Sequence, residues 1–344
     1  MAVRKCLSEG GQPGSECGNV VMWFCEAGDL CGGLGDELRG LISSFYAALV
    51  SNSVFFVRWH KMGQDILSFF ASNGVDVRPP GGIQSCATHS VIDRSWAEFG
   101  TVIQTIQHTA GCTLIRTNTD PRLWWGHEQP VLFPEQQALH ATISRHDGFG
   151  CAMAFLFKPL EVLLEQHLRL PQNFVAVHMR TGDGDMEGSL EAVDAAQVNS
   201  SLHCARQLAE RLFGGAAFHI FFASGSSAAK ALAKQQSVPL GHTVFTTEAS
   251  AAHIDHHKGV VDRHHFLEGV WNDFVILQQA KGLVLAGSSE GRVSGFAWTA
   301  AAMSFIPAEY ILNNDCERSI TNRTEPNRPI DDLSGGSELP VRGR

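Results

Sequence analysis

The sequence predicts an α/β fold built from two Rossmann-like lobes. Its 344 residues exceed what one hydrophobic core ordinarily fills. Near the N-terminus an apolar strand, a glycine-rich loop, an amphipathic helix and a second strand follow one another. From residue 171 onward, short apolar runs alternate with helical patterns, which implies parallel strands joined by crossover helices. These observations divide the chain into an N-terminal lobe over 17–170, a C-terminal lobe over 171–313 and a tail over 314–344.

In the first lobe, residues 19–25 are apolar and partly β-branched or aromatic, and read as a buried strand. After the glycine loop, Leu38, Leu41, Ile42, Phe45 and Leu49 recur at helical spacing, and residues 54–59 return to a strand. The stretch 64–117 carries a helical pattern around 66–70, a Pro79-Pro80-Gly81-Gly82 break and a strand at 113–116. Leu156, Leu160, Leu163, Leu164 and Leu168 make 134–170 helical again, as a bridge between lobes.

The second lobe opens with Phe174, Val175, Ala176 and Val177, a buried strand that delivers His178, Met179 and Arg180 to its carboxyl end. A helix over 192–213, a strand at 218–223, a helix after Gly225, a strand at 242–246, a helix over 268–280, a strand at 283–286 and a helix over 292–303 then alternate. Beyond Asn313 too few apolar residues remain to hold a core, so the tail reads as disordered.

Hydrophobic residues make up 44% of the chain and charged residues 18%, enough apolar surface to offset the entropy of folding. The net charge of −9 speaks against a nucleic-acid partner, which calls for a surplus of Lys and Arg on one face. No run reaches the roughly 18 apolar residues that suggest a membrane span, and the polar start carries no secretory pattern. The chain therefore reads as soluble and cytoplasmic, or as lumenal if its true start lies upstream. Nine cysteines leave one unpaired, and none stands at C-x-x-C spacing. Cys6, Cys17, Cys25 and Cys31 allow disulfides, but scattered thiols in a soluble chain read more readily as small buried hydrophobes.

Four clusters carry chemistry. Gly32-Gly33-Leu34-Gly35-Asp36 joins a strand to a helix, where bare backbone and free helix N–H groups suit an anionic ligand; a tight turn explains the same residues. Arg180 stands at a strand end, where a guanidinium can hold a phosphate bidentately or act as a surface ion-pair partner. Asp183, Asp185 and Glu187 could supply a general base or hold a divalent metal, or form a solvated acidic loop. Ser288 and Ser289 precede a helix, as an anion cradle or as its cap. The histidines His253, His256, His257, His264 and His265 lack H-E-x-x-H and any nearby Cys, so they read as a surface or interlobe loop rather than a zinc site.

Three blocks resemble the fucosyltransferase superfamily, above all the α1,6-fucosyltransferases and the rhizobial nodulation fucosyltransferase. Residues 32–36 look like its first-lobe glycine loop and 175–180 like its V-x-V-H-x-R strand end. Residues 267–292 look like its donor block, where Leu267, Gly269, Val270, Asp273, Leu277, Gln279, Ala280, Leu283, Val284, Ser288 and Ser289 keep the family's order without a gap. The resemblance implies a GT-B-like fold whose two lobes face a central cleft. It implies inverting transfer of fucose from GDP-fucose to a hydroxyl of a glycan or glycoprotein, with no cofactor and no metal. Position by position, it implies that His178 and Asp273 contact guanine, Arg180 holds the β-phosphate, Ser288 and Ser289 bond the diphosphate, and Gly33 and Gly35 belong to the donor-side loop. Glu187 stands near the family's catalytic Glu, one position short, so Asp183, Asp185 and Glu187 compete for the base role, and Asp36, where many relatives have Asn, is a further candidate. Thr181 replaces a second Arg, and Ser224-Gly225 stands where relatives show Thr-Asp-Asp. These departures keep open a different nucleotide sugar, or a non-catalytic sugar-nucleotide or glycan binder. Relatives of this kind usually work in the Golgi lumen, and Asn199-Ser200-Ser201 and Asn322-Arg323-Thr324 are glycan acceptor tripeptides compatible with it.

Overall fold

The computed structural model describes residues 17–26, 29, 31–61, 63–80, 86–91, 96–108, 111–118, 145–164, 170–180, 193–238, 243–247, 262–287, 294–304, 306–312 and 315–317, with Cys6, Glu9 and Pro13. In the first lobe β1 (Val20–Cys25) leads through α1 (Leu34–Val50) to β2 (Val54–Lys61) and the short β3 (Gln64–Asp65). There follow β4 (Phe70–Ser72), β5 (Ala87–Val91), α2 (Trp96–His108), β6 (Cys112–Thr117), α3 (Arg145–Leu156), β7 (Phe157–Pro159) and α4 (Glu161–Leu164). The main sheet has the order β3-β2-β1-β6-β5, parallel except for β3. β1 lies at its centre with all six residues buried, which is why it reads as an unbroken apolar run rather than an alternating one. The helix α1 crosses β6 so closely that a Cβ on Gly40 would lie 1.6 Å from the Thr117 carbonyl oxygen.

The second lobe holds β8 (Phe174–Met179), α5 (Ala195–Phe213), β9 (His219–Ser224), α6 (Ser227–Ser237), β10 (Thr243–Phe245), α7 (Arg263–Gln279), β11 (Leu283–Ala286), α8 (Gly295–Ser304), β12 (Ala308–Leu312) and β13 (Asp315–Glu317). Its sheet runs β10-β9-β8-β11-β12-β13, parallel up to the antiparallel β13. Asp194 caps α5 by accepting from Ala196 N at 2.8 Å, and Gly214 closes it in the left-handed conformation. One apolar core runs through both lobes. Trp271 of α7 meets Phe70 at 4.7 Å and Trp59 and Phe69 at 6.2 Å between ring centroids.

Several sequence expectations need correction. Residues 66–70 form only a 3₁₀ turn (Ile66–Ser68), because Asp65 caps it at Leu67 N and Phe70 is drawn into pairing with β7. β5 and α2 were not anticipated. The helix α7 begins at Arg263, before the expected 268, because Asp262 caps a first turn whose polar Arg-His-His start hides the apolar period.

The cysteines are mostly not buried thiols. Cys6–Cys17, Cys25–Cys31, Cys86–Cys112 and Cys204–Cys316 are disulfides, and Cys151 is free and exposed. The last bond ties α5 to β13, so Asp315–Glu317 is a strand and not part of a structureless tail; residues 318–344 lie outside the described residues. Cys204–Cys316 closes a loop with a sequence separation of 112. Serine at both positions is expected to lower unfolding free energy by about 2–4 kcal/mol, read as a fall in the urea midpoint.

Candidate functional site

Open parallel sheets bind ligands where adjacent strands send their following loops to opposite sides. In the second sheet that point lies between β8 and β11, since β8 leads through α5 to β9 on one side and β11 leads through α8 to β12 on the other. His178 pairs with Leu285 and Met179 with Ala286, and Arg180 N donates to the Ala286 carbonyl at 3.1 Å. Arg180 and Gly287 therefore leave the sheet together. The Gln197 amide donates to the Gly287 carbonyl and fixes the start of that second loop.

His178 is the most telling group on this edge. Its Nδ1 is buried and makes no hydrogen bond, an arrangement that costs about 1–3 kcal/mol unless a ligand completes it. Burial, with the Arg180 guanidinium and then Lys230 beside it, pulls the imidazole down to about 4 and keeps it neutral. Its ring lies 5.6 Å from Phe296, which in turn packs edge-on to Phe274 at 5.2 Å.

Asp273 lies on α7 at 8% exposure. Thr247 donates its hydroxyl to Asp273 Oδ1, and Lys230 Nζ stands 4.0 Å from Oδ2 while donating to the Thr247 carbonyl at 3.3 Å. Burial pushes the carboxyl up to about 6, against the Lys230 ammonium and the Thr247 hydroxyl, which both favour its charged form. Burial likewise lowers the Lys230 pKa, against the Asp273 carboxylate. Above pH 6 the cluster presents a buried carboxylate, an acceptor for N–H groups.

On the first lobe the Cys25–Cys31 disulfide ties the start of the glycine loop to the end of β1. Gly32 takes φ +87°, a conformation that favours glycine, and Gly33 is the N-cap of α1. Asp36 accepts from Gly33 N at 3.1 Å and pairs with Arg39, so its carboxylate is committed to the cap and an ion pair. Beneath it Glu37, 1% exposed, accepts from Trp59 Nε1 at 2.7 Å and meets Lys61 at 3.4 Å, and Lys61 reaches the Asp29 carbonyl at 2.6 Å. This buried pair holds the loop from below.

The two lobes meet at the glycine loop. A Cβ on Gly35 would lie 2.4 Å from Phe296 N and 2.5 Å from Gly295 C, so the start of α1 and the start of α8 touch backbone to backbone. Phe296 thus stands between His178 and Gly35. The structure brings together Gly33, Gly35 and Asp36 with His178 through this residue, and Arg180 joins them from β8. Asp183, Asp185, Glu187, Ser288 and Ser289 lie outside the described residues, as do His253, His256 and His257. His264 stacks on Phe69 at 5.5 Å and bonds Gln64 at 3.1 Å, and His265 faces Glu268 at 3.8 Å. Among the described residues no group of three His, Cys, Asp or Glu is arranged to hold a metal, and no helix is long and apolar enough to cross a membrane.

Sequence reasoning passed over Lys230, Thr247, Phe296 and Arg39. Lys230 carries no readable signal, since Lys234 four residues on lies on the same side of the helix and is exposed.

Two parallel α/β lobes whose strand ends converge on shared helix starts make a GT-B-type fold. Among solved structures, a mutant of Arabidopsis thaliana FUT1 in complex with GDP matches with a TM-score of 0.62 at 13% identity, covering 98% of this chain and 83% of its own. NodZ α-1,6-fucosyltransferase soaked with GDP-fucose matches with a TM-score of 0.49 at 13% identity, covering 88% of this chain and 99% of its own. Fucosyltransferase NodZ from Bradyrhizobium gives 0.48 at 12% identity, covering 88% and 98%. The chain has a fucosyltransferase-like fold. No protein-family profile and no curated protein sequence matches it.

Proposed function

We propose that this chain is an inverting glycosyltransferase that moves fucose from GDP-fucose to a hydroxyl of a glycan or glycosylated acceptor. The observation that carries this reading is the unsatisfied His178 beside Arg180 at the switch point of the second sheet. The shared fold of the GDP complex of FUT1 supports it. In this reading the acceptor lobe spans 17–170 and the donor lobe 171–313. His178 and Asp273 hold guanine, while Arg180, with Ser288 and Ser289, holds the diphosphate. Gly33 and Gly35 let the donor approach α1.

The acceptor oxygen attacks the anomeric carbon from the face opposite the phosphate, the carbon–oxygen bond to GDP breaks, and the acceptor proton passes to a carboxylate. Asp183, Asp185 and Glu187 compete for that role, with Asp36 the weakest because its carboxylate is already engaged. A guanidinium and helix-start N–H groups suffice to neutralise the leaving diphosphate, so we propose that no metal or other cofactor is required.

Four disulfides call for an oxidising compartment, and we infer that the chain works in a secretory lumen such as the Golgi rather than in the cytoplasm. Gly225 stands where the resemblance calls for the first acidic residue of Thr-Asp-Asp, and Ser224 before it accepts from Ser226 N at 3.2 Å and so serves the start of α6. That substitution favours a second reading, nucleotide-sugar binding without transfer. Calorimetric titration separates the possibilities: GDP is expected to bind at least about tenfold tighter than UDP, and GDP-fucose to be consumed with a glycan array. Equal or tighter UDP binding overturns the donor assignment, and GDP binding without turnover selects the second reading.

A further inference from the structure

We propose that Lys230, acting through Thr247, is the specificity-determining residue of the nucleotide site, because it fixes Asp273 as a charged double acceptor that selects a base with two adjacent N–H donors. The inference rests on the nucleotide-sugar reading above and adds to it the residues that set base choice.

The direction of the relay follows from donor and acceptor capacity. A lysine ammonium has donors only, and Lys230 Nζ lies 3.3 Å from the Thr247 carbonyl and 3.5 Å from Thr247 Oγ1. The Thr247 oxygen must accept from that side, so its own proton turns to Asp273 Oδ1, where the structure places it. Asp273 is then an acceptor on both oxygens, and the chain of bonds strengthens each member. The three residues come from different elements, α6, the turn after β10, and α7. Lys230 and Asp273 are both buried, at 7% and 8% exposure. A charged pair so placed costs desolvation that a packing role alone does not require.

A carboxylate oxygen that already accepts one bond keeps a second lone pair, so both oxygens of Asp273 can still accept, which matches guanine, whose N1–H and 2-amino group point the same way. Hypoxanthine offers one of those donors. Adenine offers an acceptor at N1, which faces the carboxylate with lone pair against lone pair. Uracil offers a single N–H between two carbonyls. A site built to bond such donors rejects a base lacking them far more strongly than a merely apolar pocket does.

Equilibrium binding of GDP, IDP and ADP to the full chain tests this with Lys230→Met, Lys230→Arg and Thr247→Val. In the wild type GDP is expected to bind about tenfold tighter than IDP and a hundredfold or more tighter than ADP. Lys230→Met is expected to weaken GDP about tenfold or more and to compress the GDP-to-ADP preference, since an uncompensated Asp273 takes up a proton and becomes a donor. Lys230→Arg restores both affinity and preference, and Thr247→Val gives an intermediate loss. Uniform weakening of all three nucleotides with an unchanged ratio assigns Lys230 to packing and overturns the proposal, as does a Lys230→Met protein with wild-type GDP affinity and ratio. If Lys230→Met fails to fold by circular dichroism, the preference of Thr247→Val decides in the same terms. A wild-type chain that binds no GDP defeats the nucleotide-sugar reading itself, and the proposal with it.

Discussion

Arg180→Ala is expected to lower kcat/KM for GDP-fucose by about a hundred- to a thousandfold, the scale of removing one charge-assisted donor from a developing oxyanion in a dry site. Arg180 leaves β8 beside Gly287, with its backbone N–H bonded to the Ala286 carbonyl, so the strand pairing that fixes its base is independent of its side chain. The substitution therefore leaves the fold in place. Thr181 follows it where the resemblance leads one to expect a second arginine, so no neighbouring guanidinium in that position takes over. On the proposed reaction, loss is expected in kcat as well as in donor binding, because negative charge would grow on the diphosphate as the bond to fucose breaks. Arg180→Lys keeps the charge but not the planar pair of donors and should recover only part of the rate. Activity in Arg180→Ala within twofold of wild type removes this residue from the phosphate site.

The site is only partly legible in the sequence, for physical reasons. β1 and β8 could be read directly, because central strands of a parallel sheet are buried on both faces and leave unbroken apolar runs. A polar strand end after such a run is where ligands bind, so His178 and Arg180 stood out. Asp273 stood out only through resemblance. Its own chemistry depends on Lys230 and Thr247, which precede it by 43 and 26 positions and meet it only after α6, β10 and α7 have packed. Nothing in an Ala- and Lys-rich helix marks one lysine as buried. The cysteine pairing was equally illegible, since Cys204 and Cys316 become neighbours only when β13 turns back along β12. β5, with exposed Ala87, Thr88 and Ser90, lies at the sheet edge and lacks the apolar run that marks a strand in sequence.

Gly35→Ala should damage stability and function together. A Cβ there meets Phe296 N at 2.4 Å and Gly295 C and O at 2.5 and 2.7 Å, distances no real Cβ tolerates, and all three obstacles are backbone. No rotamer relieves them, so α1 and α8 must separate. Overpacking of this kind typically costs about 1–3 kcal/mol and occasionally more; we expect the upper end, because both helices are pinned to their own sheets. The displacement also reaches the chemistry, since Phe296 carries the ring that packs against His178. Turnover and GDP affinity should therefore fall together with the melting temperature. Gly295→Ala provides the contrast across the same contact. Its Cβ meets the end of the Arg39 side chain, Nη2 at 3.0 Å, and Asp36 Oδ1 at 3.7 Å, side-chain atoms that can shift where backbone cannot. Alanine there should cost less than about 1 kcal/mol, with the gain in helix propensity offsetting part of the crowding. Differential scanning calorimetry of the two variants tests the geometry directly. Equal melting of Gly35→Ala and wild type means the helix starts do not touch, and the glycine loop then has no path by which to act on the donor edge.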